Sequence, residues 1–451
     1  MKKIRLLIYT LVATFLLSAQ AYSQPIVHAQ THVLIEQESG RVLAENDMHR
    51  RMFPAATTMI LTAILAYEFL EMDALYEVGS EITHLPHGSA TIGLLQGDQI
   101  TGQNLIRAML IGTGLDSANV VAINVARVAN DAPNMTWSEA NSYFVGLMNQ
   151  RAAELGTQNS RFMNPHGFHH TNHVSSAYDM AQIARHAMSI PAIAQIAAQP
   201  NFSGQMAGEG HEQTRRLNLT SPNELLRIYP YARGLRTGAH NLAGEVLVAS
   251  AIRNGITLIS VTMDSPIINY QPTRFTDNIA LFEYAFENYA VHTLLTPGTI
   301  MGRLNVLDPR LGDYDYLEFY TNAEITHLLS LAELDRLQIR VDFLEDLVYY
   351  YNDEQKFIAP IGQNDMVGQI SHALDGEVLF VSNLYAYRTV YARTTASDID
   401  HYMGIFFSPS AVPYWVAGFL ALVLLIIAYV TIKNRIRNMR ARQSKYTFKG
   451  K

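Results

Sequence analysis

A short uncharged segment, Ala55 to Tyr67, most strongly limits how this chain folds. Its 13 residues carry no charged side chain, and a helix of that length is too short to cross a bilayer, which takes about 20 apolar residues. Pro54 stands just before the segment, at a position where a helix can begin because no amide hydrogen is needed there. The segment is therefore predicted to be a buried core helix around which a larger domain folds.

The overall composition is that of a globular protein. The chain has 451 residues, enough for two or three domains, and 49% of them are hydrophobic and 16% charged. The formal net charge of −7 is spread along the sequence, so nothing indicates a nucleic-acid partner. Because the chain has no cysteine, disulfides, thiolate catalysis and cysteine-based metal sites are excluded. We also expect no cofactor.

The N-terminus has the pattern of a signal peptide. Lys2, Lys3 and Arg5 precede an apolar run from Leu6 to Leu17, and Ala19-Gln20-Ala21 has the small-x-small pattern of a cleavage site. A cleaved signal over residues 1–21 is therefore predicted. An uncleaved anchor is the alternative, and the shortness of the apolar run disfavours it.

The other end of the chain predicts a membrane span. Val412 to Ile432 contains no charge, and Tyr414 and Trp415 stand near its start as interfacial aromatics. Residues 433–451 carry eight Lys and Arg and no acid, which places this tail in the cytoplasm by the positive-inside rule. The prediction is a single-pass protein of the cell membrane whose bulk is extracytoplasmic; a buried helix with a basic tail explains the charge asymmetry less well.

The order of apolar patterns predicts an α+β domain over residues 26–290. A hairpin, His32–Ile35 with Val42–Ala44, precedes the central helix, and a strand with its continuation is expected over Gly234–Ala251, paired with Ile256–Met263. Helices are expected between and after these strands, one of them capped by Ser175 or Ser176. Their predicted ranges are Leu105–Ile111, Asn119–Val128, Tyr143–Leu155, a helix ending at Met188, and Asn278–Tyr289.

After Val291 the pattern changes to short alternating strands separated by turn residues, such as Tyr316–Tyr320 and Asp375–Val381. A small β domain, of the β-sandwich type, is predicted over residues 291–395. Asp398 to Pro413 then connects it to the membrane helix over residues 412–432.

Several segments resemble one family of enzymes. Gly40-Arg41-Val42-Leu43 and Pro54-Ala55-Ala56-Thr57-Thr58-Met59 look like the opening of the serine D-alanyl-D-alanine carboxypeptidases, the low-molecular-mass penicillin-binding proteins. The resemblance extends over about Thr31 to Val390 and implies a penicillin-recognising serine-hydrolase domain followed by a small β domain. Further matching segments are Leu105–Ala118, Phe162–Gly167, Ala177–Met180, Gly234–Ala251, Ala359–Ile361, Val367–Gly368 and Asp375–Gly376.

The family's catalytic motifs are largely lost. Its S-x-x-K pair supplies a nucleophile and a base one helical turn apart, and the matching positions here are Ala56 and Met59. The family's S-x-N motif matches Thr113-Gly114-Leu115, and its K-T-G motif matches Arg236-Thr237-Gly238. Only the last motif keeps its chemistry, a cation and a hydroxyl that hold a terminal carboxylate.

No other lysine can replace the missing base. Between Lys3 and Lys356 the chain contains none, so no shift in the alignment restores a Ser–Lys mechanism in the first domain. Thr57 and Thr58 stand beside Ala56, but they lie about 100° and 200° around a helix from it, and neither has a base one turn on. We therefore predict a protein without hydrolytic activity.

Recognition of a ligand is the property that remains. Arg236 is expected to pair with a carboxylate, with Thr237 and Gly238 beside it, and Thr113 keeps a hydroxyl where the family has serine. Leu115 removes an amide that would contact the ligand backbone. An equally open interpretation is that Arg236 forms a salt bridge with a local acid such as Glu245.

The histidines His166, His169, His170 and His173 include spacings found in metal sites. Asn164-Pro165 and Gly167 break any helix there, and no carboxylate lies within the run, so a surface loop is favoured and no metal is predicted.

Three functions remain open at this point. The first is an inactive, membrane-anchored carboxypeptidase homologue that binds peptidoglycan stem peptides or a protein partner. The second is a working D-Ala-D-Ala carboxypeptidase with a non-standard nucleophile, and the third is a scaffold whose cleft is vestigial.

Overall fold

A computed structural model describes residues 25–208, 215–351 and 354–446. The predicted signal peptide lies outside them. The described chain divides into two compact units, one ending at Ala290 and one beginning at Val291.

The first unit contains eleven strands among its described residues, and five of them form its main sheet in the order β2-β1-β9-β8-β7, with every neighbouring pair antiparallel. The strands are β1 Thr31–Glu36, β2 Val42–Asn46, β3 Leu75–Glu77, β4 Gln99–Thr101, β5 Asn201–Gln205, β6 Arg216–Thr220, β7 Ala232–His240, β8 Gly244–Arg253, β9 Ile256–Ser265, β10 Ile267–Ile268 and β11 Gln271–Pro272. The remaining six form three two-stranded pairs.

The helices of this unit surround one that is buried throughout its first two turns. They are α1 Met59–Phe69, α2 Gly102–Leu110, α3 Leu115–Ala129, α4 Trp137–Glu154, α5 Ala177–Ser189, α6 Pro191–Ala197, α7 Leu225–Ile228 and α8 Arg274–Asn288. Every residue of α1 from Met59 to Ala66 is buried, and α1 packs against α2, α3 and α5. α5 and α8 both pack against β9. The predicted core helix is confirmed, although its first residues, Ala55–Thr58, form a separate 3-10 turn.

Two predicted elements differ from those observed. The strand predicted over Gly234–Ala251 is a pair of antiparallel strands, because the chain reverses after His240 and Gly244 takes a φ of 60°, which favours glycine. The segment Thr113–Ala118, predicted to lie between helices, contributes its last four residues to α3, since the helix already begins at Leu115. Ser176 is the predicted cap: its Oγ accepts the amide of Asp179.

The second unit is a β domain followed by helices. Its strands are β12 Tyr289–Leu295, which begins in the first unit, β13 Thr299–Leu307, β14 Tyr316–Thr321, β15 Ile325–Ser330, β16 Gln338–Phe343, β17 Val348–Tyr351, β18 Glu354–Ile358, β19 Met366–Leu374 and β20 Glu377–Ala386. Seven of them form a sheet in the order β16-β19-β20-β14-β13-β18-β17, in which only β13 and β18 are parallel, and β12 pairs with β15. One side packs on a core that includes Leu317, Phe357 and Leu384.

The helices of the second unit are α9 Leu331–Leu334, α10 Thr395–Phe406 and α11 Val412–Tyr446. Within the part of the chain that the structure describes, one helical segment, Pro409–Arg440, is long and apolar enough to cross a membrane, and its apolar window has a mean hydropathy of 2.6.

Candidate active site

A cleft of about 590 Å³ opens in the first unit. One wall is the C-terminal half of β7, which is the edge strand of the main sheet, and another is the 3-10 turn that precedes α1. The lining residues are Ala55, Ala56, Gly88, Ser89, Ala90, Thr113, Leu115, His166, Gly167, Phe168, His169, Pro222, Arg236, Thr237, Gly238, Ala239, His240, Asn241, Leu242 and Arg274.

The cleft brings together residues from all three predicted motifs. Ala56 comes from the 3-10 turn, Thr113 and Leu115 from the start of α3, and Arg236, Thr237 and Gly238 from β7. Met59 is the predicted site residue that does not line it. Its side chain is 0% exposed and belongs to the core cluster around α1.

Close backbone contacts hold the turn that carries Ala56. A Cβ on Gly238 would lie 2.8 Å from the amide nitrogen of Ala56, and one on Gly167 would overlap the carbonyl of Ala55. Ala55 has a φ of 50°, a left-handed conformation that costs a non-glycine residue on the order of 1 kcal/mol and persists only where its surroundings impose it. Packing against these glycines therefore fixes the turn at the floor of the cleft.

The two hydroxyls next to Ala56 are engaged in structural hydrogen bonds. Thr57 Oγ1 donates to the carbonyl of Pro54 at 2.6 Å. Thr58 Oγ1 lies 2.8 Å from Nε2 of His173, which has the appearance of a hydroxyl–imidazole dyad. However, the amide of Met163 donates to Nδ1 of the same ring at 3.1 Å, so Nε2 carries the proton and donates to Thr58. His173 is thus oriented as a donor and not as a base.

The buried position of His173 agrees with that assignment. Burial lowers the pKa of His173 to about 3, and that of His166 to about 4, so both rings are neutral at pH 7. His166 Nδ1 accepts the amide of Phe168 at 3.1 Å, which leaves a proton on its Nε2 within the cleft lining.

Arg236 is a buried cation with unused donors. It is 1% exposed, and its Nη1 donates to the carbonyl of Gly112. Its Nε and Nη2 have no hydrogen-bond partner among the described residues. Desolvation lowers the pKa of Arg236 to about 10, so the guanidinium remains charged at neutral pH.

The salt bridge between Arg236 and Glu245, kept open as an alternative, is not formed. Glu245 pairs instead with Arg274. The reason is geometric: Arg236 lies opposite Val248 in the middle of β8, whereas Glu245 lies three residues earlier, near the start of β8 and opposite Ala239.

The sequence pattern did not predict that histidines would form a wall of the cleft. His169 and His240 lie with ring centroids 5.1 Å apart, and Phe53 contacts both rings. Arg274 also lines the cleft, and none of the lining residues is acidic. The run of histidines is the signal in the sequence, but nothing in its spacing indicates His240 or Arg274 as neighbours. In the described ranges no group of three or more His, Cys, Asp or Glu side chains is arranged to hold a metal ion.

The matching family model is that of D-alanyl-D-alanine carboxypeptidase, and it covers residues 18–266, which is 249 of the 451 residues. The chain belongs to the D-alanyl-D-alanine carboxypeptidase family. This match confirms the resemblance that the motif segments indicated. The family is one of cell-wall enzymes.

Curated relatives in this carboxypeptidase family include enzymes from distant bacteria. The chain is 26% identical over 363 residues to D-alanyl-D-alanine carboxypeptidase DacF of Bacillus subtilis, covering 79% of this chain and 85% of that protein. It is 27% identical over 366 residues to DacA of Escherichia coli K12, covering 79% of this chain and 82% of that protein.

Solved structures share the carboxypeptidase fold. Penicillin binding protein 5 from Haemophilus influenzae matches with a TM-score of 0.59 and 23% identity, covering 82% of this chain and 99% of that structure. The Streptomyces K15 DD-transpeptidase matches with a TM-score of 0.53 and 22% identity over 59% of this chain and 99% of its own. At these identities the likeness establishes the fold, an α+β domain and, in the first case, a β domain after it.

Proposed function

We propose that this family member binds the ends of peptidoglycan stem peptides at the cell envelope without hydrolysing them. One observation carries the proposal. The cleft keeps a buried cation and hydroxyls, but the methyl group of Ala56 lies at the position that matches the nucleophile of the family's S-x-x-K motif. At the position of the base, the thioether of Met59 is fully buried in the core.

The chemistry of these two side chains supports the loss of hydrolysis. Alanine has no atom that attacks a carbonyl, and a thioether does not take up a proton at neutral pH. Loss of both a nucleophile and its base in a serine hydrolase lowers turnover on the order of a million-fold. Thr57 and Thr58 do not substitute, since Thr57 donates a hydrogen bond to a carbonyl and Thr58 accepts one from His173.

The charge of the cleft supports recognition of a carboxylate. Two donor nitrogens of Arg236 have no partner in the part of the chain that the structure describes. A buried guanidinium without a counter-ion is costly, so an incoming carboxylate would relieve that cost. Thr237 and Thr113 offer hydroxyls in the same lining. Leu115 offers no hydrogen bond to a peptide backbone, so we expect modest affinity that depends chiefly on the terminal carboxylate.

The placement in the cell is part of the same proposal. A signal peptide over residues 1–21, a carboxypeptidase-like domain over 26–290, a β domain over 291–395, a span over 412–432 and a basic cytoplasmic tail would hold the cleft outside the membrane. Protease added to intact spheroplasts should remove the folded units and leave a tagged C-terminus protected; a C-terminus cleaved in intact cells would contradict this orientation.

The test of recognition is a calorimetric titration of the full chain in detergent micelles with a peptide ending in D-Ala-D-Ala. We expect dissociation constants in the millimolar range or tighter, and a loss of at least about tenfold when the peptide's C-terminus is amidated or when Arg236 is changed to alanine. The amidated peptide leaves the protein unaltered, so it controls for misfolding of the variant. Equal affinity for the acid and the amide would refute carboxylate recognition and favour a scaffold role.

A further inference from the structure

The outer side of the second unit's seven-stranded sheet carries a row of tyrosines. Along β14, Leu317, Phe319 and Thr321 are buried, whereas the alternate residues Tyr316, Glu318 and Tyr320 face the other side. Tyr320 pairs with Tyr385 of β20. We call the following five residues the tyrosine face: Tyr314, Tyr316, Tyr320, Tyr385 and Tyr387.

Ring contacts connect the members of the tyrosine face in two groups. The ring centroid of Tyr320 lies 6.0 Å from that of Tyr385 and 6.2 Å from that of Tyr387. Those of Tyr314 and Tyr316 are 5.6 Å apart. Tyr314 is 58% exposed and Tyr387 is 49% exposed, so large aromatic surfaces remain open to solvent. Such surfaces on a soluble domain mark a binding site when they are contiguous.

Polar side chains with fixed orientations lie between the rings. The guanidinium of Arg388 lies 3.9 Å from the ring centroid of Tyr314 and 4.9 Å from that of Tyr316, and its Nη2 donates to Glu318 at 2.7 Å. The hydroxyl of Tyr320 donates to Oδ1 of Asn364 at 2.8 Å. The ion pair offsets the charge of Arg388. The guanidinium of Arg303 lies 5.1 Å from the ring centroid of Tyr316, so the face combines aromatic rings with one ion pair and a further cation.

We propose that the tyrosine face binds a glycan strand made of β-linked N-acetylated amino sugars. A pyranose ring presents C–H groups that pack on an aromatic ring, while its equatorial hydroxyls and amides bond to planar polar groups such as those of Glu318, Arg388 and Asn364. The family acts on the cell wall, where stem peptides are attached to such strands. A glycan strand is therefore present wherever the cleft would bind a stem peptide.

This site is separate from the cleft in its residues and its ligand chemistry. It recognises sugar rings, whereas the cleft is proposed to recognise a peptide carboxylate. Failure of one proposal therefore leaves the other to be judged on its own titration.

The experiment uses chitohexaose, a soluble peptide-free oligomer of β-1,4-linked N-acetylglucosamine, titrated against the full chain in micelles by saturation-transfer NMR. We expect binding in the millimolar range or tighter. Changing Tyr387 and Tyr314 together to alanine should weaken it by at least about tenfold, while phenylalanine at both positions keeps most of it. The matched control is Tyr350→Ala, which removes a ring that is 63% exposed on β17, away from the tyrosine face.

Three outcomes would overturn the proposal. One is the absence of saturation transfer between the wild-type chain and chitohexaose at sugar concentrations up to ten times the expected dissociation constant. Another is equal loss of binding in the Tyr350→Ala control and in the double variant. The third is concentration-dependent self-association, seen by sedimentation and abolished by the double variant, in a chain that binds no sugar, which would assign the face to a second copy.

Discussion

At the scale of single residues, the proposed loss of hydrolysis depends on Ala56 and Met59. Ala56 lines the cleft, and Met59 lies one turn further on with its side chain fully buried. Restoring a hydroxyl at position 56 would place an oxygen in the cleft without a proton acceptor. Restoring a lysine at position 59 would place an amine in an apolar setting, where desolvation lowers its pKa toward that of a working base.

The variant Ala56→Ser alone is therefore expected to show no release of D-alanine above background. The double variant with Ala56→Ser and Met59→Lys should exceed it by about 10²- to 10⁴-fold, the usual contribution of a positioned base. The assay is D-alanine release from a pentapeptide, and thermal unfolding reports whether each variant is folded. Robust activity in Ala56→Ser would mean that another side chain already serves as the base.

The buried histidines predict a pH dependence of stability. The pKa of His166 is lowered to about 4 and that of His173 to about 3, against 6.5 in the unfolded chain. Below pH 6.5 these histidines bind protons in the unfolded chain but not in the folded chain. Their contribution to the free energy of unfolding is therefore fully present above pH 6.5 and is lost as the pH falls toward the pKa values of the folded state. The loss at pH 5 is about 2 kcal/mol for each histidine.

Urea unfolding at pH 7 and pH 5 measures this loss. Comparison with His173→Gln separates the contribution of His173 from that of carboxylates that titrate in the same pH range. Glutamine should lower stability at pH 7, because the bonds to Met163 and Thr58 are altered, and make the difference between the two pH values smaller. A difference that is unchanged in the variant would show that His173 does not hold its neutral form in the fold.

At the scale of elements, the cleft depends on how closely β7 approaches the turn before α1. The apolar segment after Pro54 was sufficient to predict a buried helix, and alternating patterns predicted the hairpins. The left-handed Ala55 and the 3-10 turn were beyond prediction, since they result from contacts with Gly167 and Gly238, which are distant in sequence. The same applies to Arg236, whose bond to the carbonyl of Gly112 depends on the position of β7 beside the loop that follows α2.

Two glycine substitutions, one at this close approach and one in open space, are expected to have opposite effects on stability. Gly238→Ala would place a Cβ 2.8 Å from the backbone nitrogen of Ala56, and the required shift should cost about 1–3 kcal/mol of stability and deform the cleft. Gly146→Ala, in the middle of α4, meets no atom within 4 Å and should add about 0.5–1 kcal/mol. Thermal unfolding compares the two; a Gly238→Ala variant as stable as the wild type would show that the turn yields easily.

At the scale of the whole molecule, the sequence was informative about the order of its parts. The uncharged span and the family motifs predicted an apolar helix near the C-terminus and the α+β fold, and the structure contains both. The resemblance also indicated which residues meet in the cleft, except that Met59 lies in the core instead. It did not indicate the histidine wall or the tyrosine face, because both arise where side chains from separate strands and loops become neighbours, as Tyr320 and Tyr385 do.

We propose that no hydroxyl of the cleft is activated to form an ester with a ligand, because Ala56 and Met59 replace the nucleophile and its base. Intact-protein mass spectrometry of the full chain after incubation with excess benzylpenicillin tests this proposal, with DacA of Escherichia coli treated in parallel. We expect an unchanged mass for this chain at every time point. A covalent adduct of one penicillin per chain, mapped to a cleft oxygen such as that of Ser89, Thr113 or Thr237, would contradict it.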